Sequence, residues 1–115
     1  MSAVLFLDDD MTRCSNFRSR CPSADIVHDS ESCIAKLKDG DYDEVHLDHD
    51  LGGEIYCDSN REDTGMEVVR WMCLNKCNAR TVIVHSYNPH GANEMMIALE
   101  AAGYRVLRIP FEYQR

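Results

Sequence analysis

The chain has 115 residues, of which 44% are hydrophobic and 28% charged, and its formal net charge is −8. This length predicts one domain over residues 1–115 that would bury roughly two thirds of its unfolded surface, and the composition excludes disordered and fibrous proteins. The acidic balance gives no general attraction for long nucleic acid or an anionic membrane, so any phosphate ligand must be held by local donors or a metal.

The chain also carries no sign of export or membrane insertion. No apolar run approaches the ~20 residues of a membrane span, and the acidic Asp8-Asp9-Asp10 is unlike the basic start of a secretory signal. We therefore expect a cytoplasmic protein whose six cysteines are mostly reduced.

The first half of the chain alternates short apolar runs with helical patterns. Residues 4–7 are fully apolar and stop at three carboxylates, which is typical of a strand buried on both faces. Asp29 or Ser30 caps the second helix, and Asp39-Gly40 ends it. The predicted elements in order are strand 4–7, helix 12–20, strand 24–28, the capped helix up to Gly40, and strand 45–48.

The second half continues the alternation after a long polar loop. Its predicted elements are helix 66–77, strand 81–84, a helix carrying Ala92 to Leu99 that stops at Gly103, and strand 104–109. Five strands alternating with four helices predict the α/β class, with a parallel sheet and right-handed crossovers.

Carboxylates and histidines follow three of these strands. Asp8 and Asp9 follow the first strand, Asp48 closes the third, and His49 and His85 follow the third and fourth. Ligands bind beyond the carboxyl ends of the strands in such sheets, so we expect these groups to converge. Asp8, Asp9 and Asp48 predict a site for magnesium or manganese, and an added imidazole would favour a transition metal. The alternative is that each aspartate only ends a strand and caps a helix.

The two histidines predict acid–base chemistry. Each is flanked by a group that can orient an imidazole: Asp48 or Asp50 beside His49, and Ser86 beside His85. Two such imidazoles across a pocket suit a general base and a general acid near neutral pH.

An anion site is predicted ahead of the fourth helix. Ser86, Asn88 and Gly91 offer a hydroxyl, an amide and a close backbone approach to a phosphate, and Arg13 lies near the acidic triplet. Two alternatives remain open, because Asn88 would also cap an ordinary turn and Arg13 would also pair with a carboxylate.

Four stretches of the chain resemble the family of cyclic-phosphate processing receiver domains. They are Leu7-Asp8-Asp9 with Arg13, Leu47-Asp48-His49-Asp50-Leu51-Gly52, Thr64-Gly65 with Val69 and Trp71, and Val84-His85-Ser86-Tyr87-Asn88-Pro89-His90-Gly91 with Met95. The resemblance implies a three-layer, receiver-like fold with strand order 2-1-3-4-5. More distantly the chain resembles the response-regulator receiver, and this resemblance implies that Asp8 and Asp9 form the metal-binding pair, Asp48 the phosphoacceptor and Ser86 the hydroxyl-bearing position.

The chain departs from the response-regulator pattern near its end. Arg108-Ile109-Pro110 stands where a receiver has Lys-Pro, and only residues 111–115 remain for the final helix, which we expect to be missing. An uncovered sheet face around Leu107 and Ile109 would then favour a homodimer.

The resemblance and the residues together predict a phosphoesterase for a cyclic nucleotide or a 2′,3′-cyclic phosphate end. In this interpretation His49 activates water and His85 protonates the leaving oxygen, Asp48 and Asp50 orient them, and Asp8 and Asp9 hold a metal. Ser86, Asn88, Gly91 and Arg13 position the phosphate.

Two further expectations concern function. The alternative to an enzyme is a non-catalytic module that binds a nucleotide, a phosphate ligand or a partner protein. The loop over residues 53–63 is either a lid, with Tyr56 on a base and Arg61 on a phosphate, or a surface excursion.

Overall fold

The computed structural model describes residues 3–51 and 64–111 of the chain. Five strands and four helices alternate in these ranges: β1 (Val4–Leu7), α1 (Met11–Arg20), β2 (Asp25–Val27), α2 (Ser30–Asp39), β3 (Tyr42–Leu47), α3 (Gly65–Leu74), β4 (Ala79–Val84), α4 (Pro89–Ala101) and β5 (Val106–Arg108). The strands form one parallel sheet in the order β2-β1-β3-β4-β5. The predicted fold class and strand order are confirmed.

Helices cover both faces of the sheet, which explains why β1 is apolar throughout. Leu5 and Leu7 face the larger core, where the sheet packs against α2, α3 and α4. Val4 and Phe6 face a smaller core that includes Phe17 of α1. A strand covered on both sides has no polar face, so its sequence does not alternate between apolar and polar residues.

Helix caps place the starts of α1, α2 and α4 directly beyond the strands that precede them. Asp10 accepts a hydrogen bond from the Arg13 N–H, and Asp29 accepts one from the Ser32 N–H. Asn88 accepts one from the Gly91 N–H. These caps satisfy backbone donors that the first helical turn leaves without partners, and they fix the strand-end loops.

Three element boundaries differ from the predicted ones by three residues, each for a local reason, and the other boundaries differ by two residues or fewer. β3 begins at Tyr42 instead of residue 45, because the backbone N–H groups of Tyr42 and Asp43 pair with the carbonyls of Asn78 and Ala3. α3 ends at Leu74 instead of residue 77, where the Asn75 N–H closes the last turn. The Asn88 cap starts α4 at Pro89, three residues before the predicted apolar stripe.

Two expectations lie wholly or partly outside the described residues. The lid predicted for residues 53–63 is one, and the missing final helix concerns residues 112–115. Leu107 is 39% exposed at the edge of the sheet, and the homodimer stays a prediction. Within residues 3–51 and 64–111, every helix is too short or too polar to cross a lipid bilayer.

Candidate functional site

The carboxyl edge of the sheet brings together two aspartates and a histidine from three strands. Leu7 pairs with Leu47 and Leu47 with Val84 in the parallel register. The next residues, Asp8, Asp48 and His85, therefore lie side by side, and all three are buried. Strand order thus creates a charged cluster at the point where parallel α/β sheets bind ligands.

Asp8 is the centre of this cluster. Its carboxylate accepts two hydrogen bonds from the Arg13 guanidinium, at 2.7 and 3.0 Å, and one from His85 Nε2 at 2.9 Å. Burial alone raises the pKa of Asp8, but the bonds from His85 and Arg13 outweigh burial and hold the pKa at about 2. Asp8 is therefore an anion at neutral pH.

Asp48 lies beside Asp8 with weaker compensation. Its Oδ1 accepts a hydrogen bond from the His49 N–H at 2.9 Å, and its Oδ2 lies 3.6 Å from Arg13 Nη2. Burial and the charge of Asp8 raise the pKa of Asp48 to about 8, although Arg13 acts in the opposite direction. The nearby positive charge is thus too small to compensate both carboxylates.

Three side chains present a donor set for a metal ion. One ligand atom each from Asp8, Asp48 and His85 lies within 4.8 Å of the other two. Two carboxylates and one imidazole fit a divalent cation, and the imidazole suits manganese or zinc better than magnesium. Asp9 is half-buried and is not a member of this group in the described part of the chain. The structure thus groups two of the three predicted ligands and adds His85.

His85 is fixed by aromatic packing as well as by Asp8. Its ring is parallel to that of Phe6, with a centroid separation of 4.8 Å and an interplanar angle of 6°. Phe6 in turn stacks on Phe17 of α1 at 4.1 Å. Burial lowers the pKa of His85, while the Asp8 carboxylate acts to raise it. Its Nδ1 is buried and has no hydrogen-bond partner among the described residues.

His49 is held by a separate carboxylate and a close backbone. Its Nδ1 donates to Asp50 Oδ1 at 2.9 Å, and Asp50 Oδ1 also accepts from Asn88 Nδ2 at 3.2 Å. The ring is fully buried against Gly91, where a Cβ atom would lie 2.6 Å from His49 Cγ. Gly91 therefore leaves the space that the imidazole occupies.

Residues predicted to bind phosphate form hydrogen bonds within the loop before α4. Ser86 Oγ accepts from the Asn88 N–H at 3.1 Å, and Asn88 Oδ1 accepts from the Gly91 N–H at 3.0 Å. The capping alternative for Asn88 is thus observed, and so is the pairing of Arg13 with carboxylates. The register places His85, and not Ser86, directly beside Asp48. A role for these four residues toward phosphate stays a prediction.

Sequence reasoning missed three residues that shape the site. The Asp8 carbonyl accepts hydrogen bonds from His28 Nδ1 at 3.0 Å and from Cys14 Sγ at 3.3 Å. Tyr87 is exposed, and the Arg13 guanidinium carbon lies 5.8 Å from its ring centroid. Its position between Ser86 and Asn88, inside the predicted loop, was the available signal.

Strand order, four helices and the acidic carboxyl edge define a receiver-type domain. Residues 3–101 match the family model described as the cyclic-phosphate processing receiver domain, and the chain belongs to this family. A search of curated proteins found no match to the sequence.

Two solved structures share the fold of this chain. Response regulator TrrA from Thermotoga maritima, in complex with Mg²⁺-BeF, is 21% identical, with 95% of this chain and 88% of that chain covered and a TM-score of 0.67. The N-terminal domain of an uncharacterized protein from Wolinella succinogenes is 14% identical, with 99% and 85% covered and a TM-score of 0.69. At these identities the likeness shows the fold alone.

Proposed function

We propose that this domain is a phosphoesterase that opens a cyclic phosphate ester at the carboxyl edge of its sheet. One observation carries the proposal: the buried imidazole of His85 is bonded to Asp8 at 2.9 Å beside Asp48, and the residue after Asp48 supplies a second buried imidazole, that of His49, bonded to Asp50 at 2.9 Å. The family description, cyclic-phosphate processing, supports the substrate class.

In this proposal His49 is the general base. Its Nδ1 proton is engaged by Asp50, which fixes the tautomer with the ring proton on Nδ1, and Nε2 would take the proton of an attacking water. Asn88 donates to the same Asp50 oxygen and thereby holds the carboxylate in position. The His49–Asp50 pair thus has the arrangement of an oriented imidazole base.

Arg13 stabilises negative charge in this proposal, and His85 positions the Asp8 carboxylate. Arg13 places a guanidinium over Asp8 and Asp48, where its positive charge stabilises the negative charge that develops on the phosphate. His85 donates Nε2–H to Asp8, and its buried ring holds that carboxylate in place. Protonation of the leaving oxygen by His85, as expected from the sequence, would require this Nε2 contact to break.

Asp8 and Asp48 would hold a divalent cation, with Asp9 nearby on the same loop, and His85 would join them as a ligand only after Nε2 gave up the proton that it donates to Asp8. A bound cation supplies electrostatic stabilisation of the phosphate oxygens. The Mg²⁺-BeF complex of the structurally similar TrrA supports testing magnesium, and the imidazole in the donor set supports testing manganese.

A non-catalytic binding module is the second candidate, and the Arg13–Asp8 ion pair favours it. The pair compensates part of the acidic charge without a metal, and both imidazoles are buried. A module of this kind would bind a nucleotide or phosphate ligand without consuming it.

Turnover of a cyclic phosphate panel tests the proposal. We would incubate the protein with 2′,3′-cyclic AMP, 3′,5′-cyclic AMP and a cyclic dinucleotide, with Mg²⁺, Mn²⁺ or EDTA, and follow ring opening by chromatography. His49→Gln should lower the rate by about 10²- to 10⁴-fold, the usual contribution of a general base. His90→Gln is the matched control, because the His90 side chain is exposed and forms an ion pair with Glu94 on the same helix.

Each outcome decides between the candidates. Ring opening that His49→Gln removes and His90→Gln keeps supports the phosphoesterase. Saturable binding without product supports the binding module. An equal rate in wild type and His49→Gln would overturn the role of His49.

A further inference from the structure

Tyr87 is an exposed aromatic residue on a rigid part of the site. It is 44% exposed, whereas its neighbours Ser86 and Asn88 are 1% and 6% exposed. The hydrogen bond from the Asn88 N–H to Ser86 Oγ spans Tyr87 and fixes the backbone on both sides of it. The ring is therefore held at the surface by a buried loop, so little backbone freedom is lost when a ligand covers it.

Arg13 connects this ring to the charged cluster. The guanidinium carbon lies 5.8 Å from the Tyr87 ring centroid, and the same guanidinium is bonded to Asp8 at 2.7 and 3.0 Å. Because the Arg13 guanidinium contacts both the Tyr87 ring and the Asp8 carboxylate, the ring lies beside the charged cluster. A ligand whose phosphate meets Arg13 thus brings its other end to Tyr87.

A flat aromatic group on the ligand fits this arrangement best. Stacking on an aromatic side chain is how proteins hold bases without reading their sequence, and a guanidinium next to the ring strengthens it. The net charge of −8 disfavours a polyanion, whereas a cyclic mononucleotide carries a single negative charge.

We infer that Tyr87 is the base-stacking residue of the site and that the substrate is a cyclic mononucleotide. This inference rests on the proposed phosphoesterase function and names its substrate class. Tyr87 contacts the base, and Arg13, anchored on Asp8, contacts the phosphate.

Binding to ligands with and without a base tests the inference. We would measure dissociation constants of 2′,3′-cyclic AMP and of glycerol 1,2-cyclic phosphate, which has the ring but no base, by calorimetry in the His49→Gln background. The nucleotide should bind about tenfold tighter or better, the gain typical of one stacked base. Tyr87→Ala should abolish this preference and leave the glycerol ester unaffected, and Tyr87→Phe should retain it. Leu74→Ala is the control, since Leu74 is exposed at the end of α3.

The outcomes separate this inference from the proposed function. Equal affinity for the two ligands, or an equal loss for both in Tyr87→Ala, overturns the role of Tyr87. Ring opening by the wild type with the same kcat/KM for both esters leaves the phosphoesterase and removes base recognition. Tyr87-dependent nucleotide binding without ring opening supports stacking and contradicts the enzyme. Tighter binding of an RNA oligonucleotide with a cyclic end than of the mononucleotide would contradict the substrate class.

Discussion

Replacing Gly91 by alanine tests how closely the fourth helix packs on His49. A Cβ atom at position 91 would lie 2.6 Å from His49 Cγ and Cδ2 and 2.8 Å from Nδ1. The imidazole has little room to move, because it is fully buried and its Nδ1 donates to Asp50. The new methyl group must therefore displace either the ring or the start of α4.

The sign of the effect distinguishes this packing from ordinary helix propensity. Alanine in a helix is favoured over glycine by up to about 1 kcal/mol, whereas overpacking a buried site costs about 1–3 kcal/mol. We expect Gly91→Ala to lower the free energy of unfolding by about 1–2 kcal/mol. In a His49→Ala background the clash is absent, so the same substitution should be neutral or stabilising. The coupling energy between the two positions should be about 2 kcal/mol.

Urea unfolding of four proteins measures the cycle: wild type, Gly91→Ala, His49→Ala and the double variant. The free energies of unfolding give the coupling between positions 91 and 49 directly. A Gly91→Ala protein more stable than wild type would refute the close contact. A penalty that persists unchanged without the imidazole would show that something other than His49 resists the methyl group.

Three further predictions concern the acidic edge. Because burial raises the pKa of Asp48 from 3.8 to about 8, the folded metal-free protein binds a proton that the unfolded chain releases, and its stability should fall as pH rises through this window. Asp48→Asn should remove this pH dependence, and the control Asp39→Asn, at an exposed position, should keep it. Urea unfolding in EDTA at several pH values measures the free energy of unfolding of each protein. An equal dependence on pH in all three proteins would contradict the assignment to Asp48. Mn²⁺ should raise the Tm of wild type and Asp39→Asn but not of Asp48→Asn, and equal shifts in all three would place the ion elsewhere. Gly65→Ala should lose about 3 kcal/mol or more, because its Cβ would collide with the Asp48 carbonyl oxygen, and an unchanged urea midpoint would refute this contact.

The fold was predictable because the apolar pattern and the order of elements determine it. Val4–Leu7 and the β-branched residues of β4 are typical of buried parallel strands, and the alternation with helices requires crossovers. The start of β3 was not predictable from the apolar pattern, since Asp43 and Glu44 are polar and enter the strand through backbone pairing with the segments on both sides, Ala3 and Val4 on one and Thr81 of β4 on the other. Pairing across the sheet leaves no trace in a local pattern.

The candidate site was predictable in its residue types but not in its contacts. Strand ends converge in any parallel sheet, so Asp8, Asp48 and His85 were expected at one edge. Their partners depend on long-range geometry: His85 reaches Asp8 across 77 residues of sequence. Whether Asn88 serves a ligand or a helix depends on the position of the Gly91 N–H, which composition does not reveal.

The stacked rings of Phe17, Phe6 and His85 join three separate stretches of the chain into one column. Helix α1 carries Phe17 at one point and Arg13 at another, so a rotation of this helix would shift the plane of His85 and the counter-ion of Asp8 together. A substitution at one of these positions therefore changes the packing at the others. Among relatives of this domain, the residues at positions 6, 17 and 85 should change as a group, and a smaller ring at one position should be accompanied by a larger side chain at another.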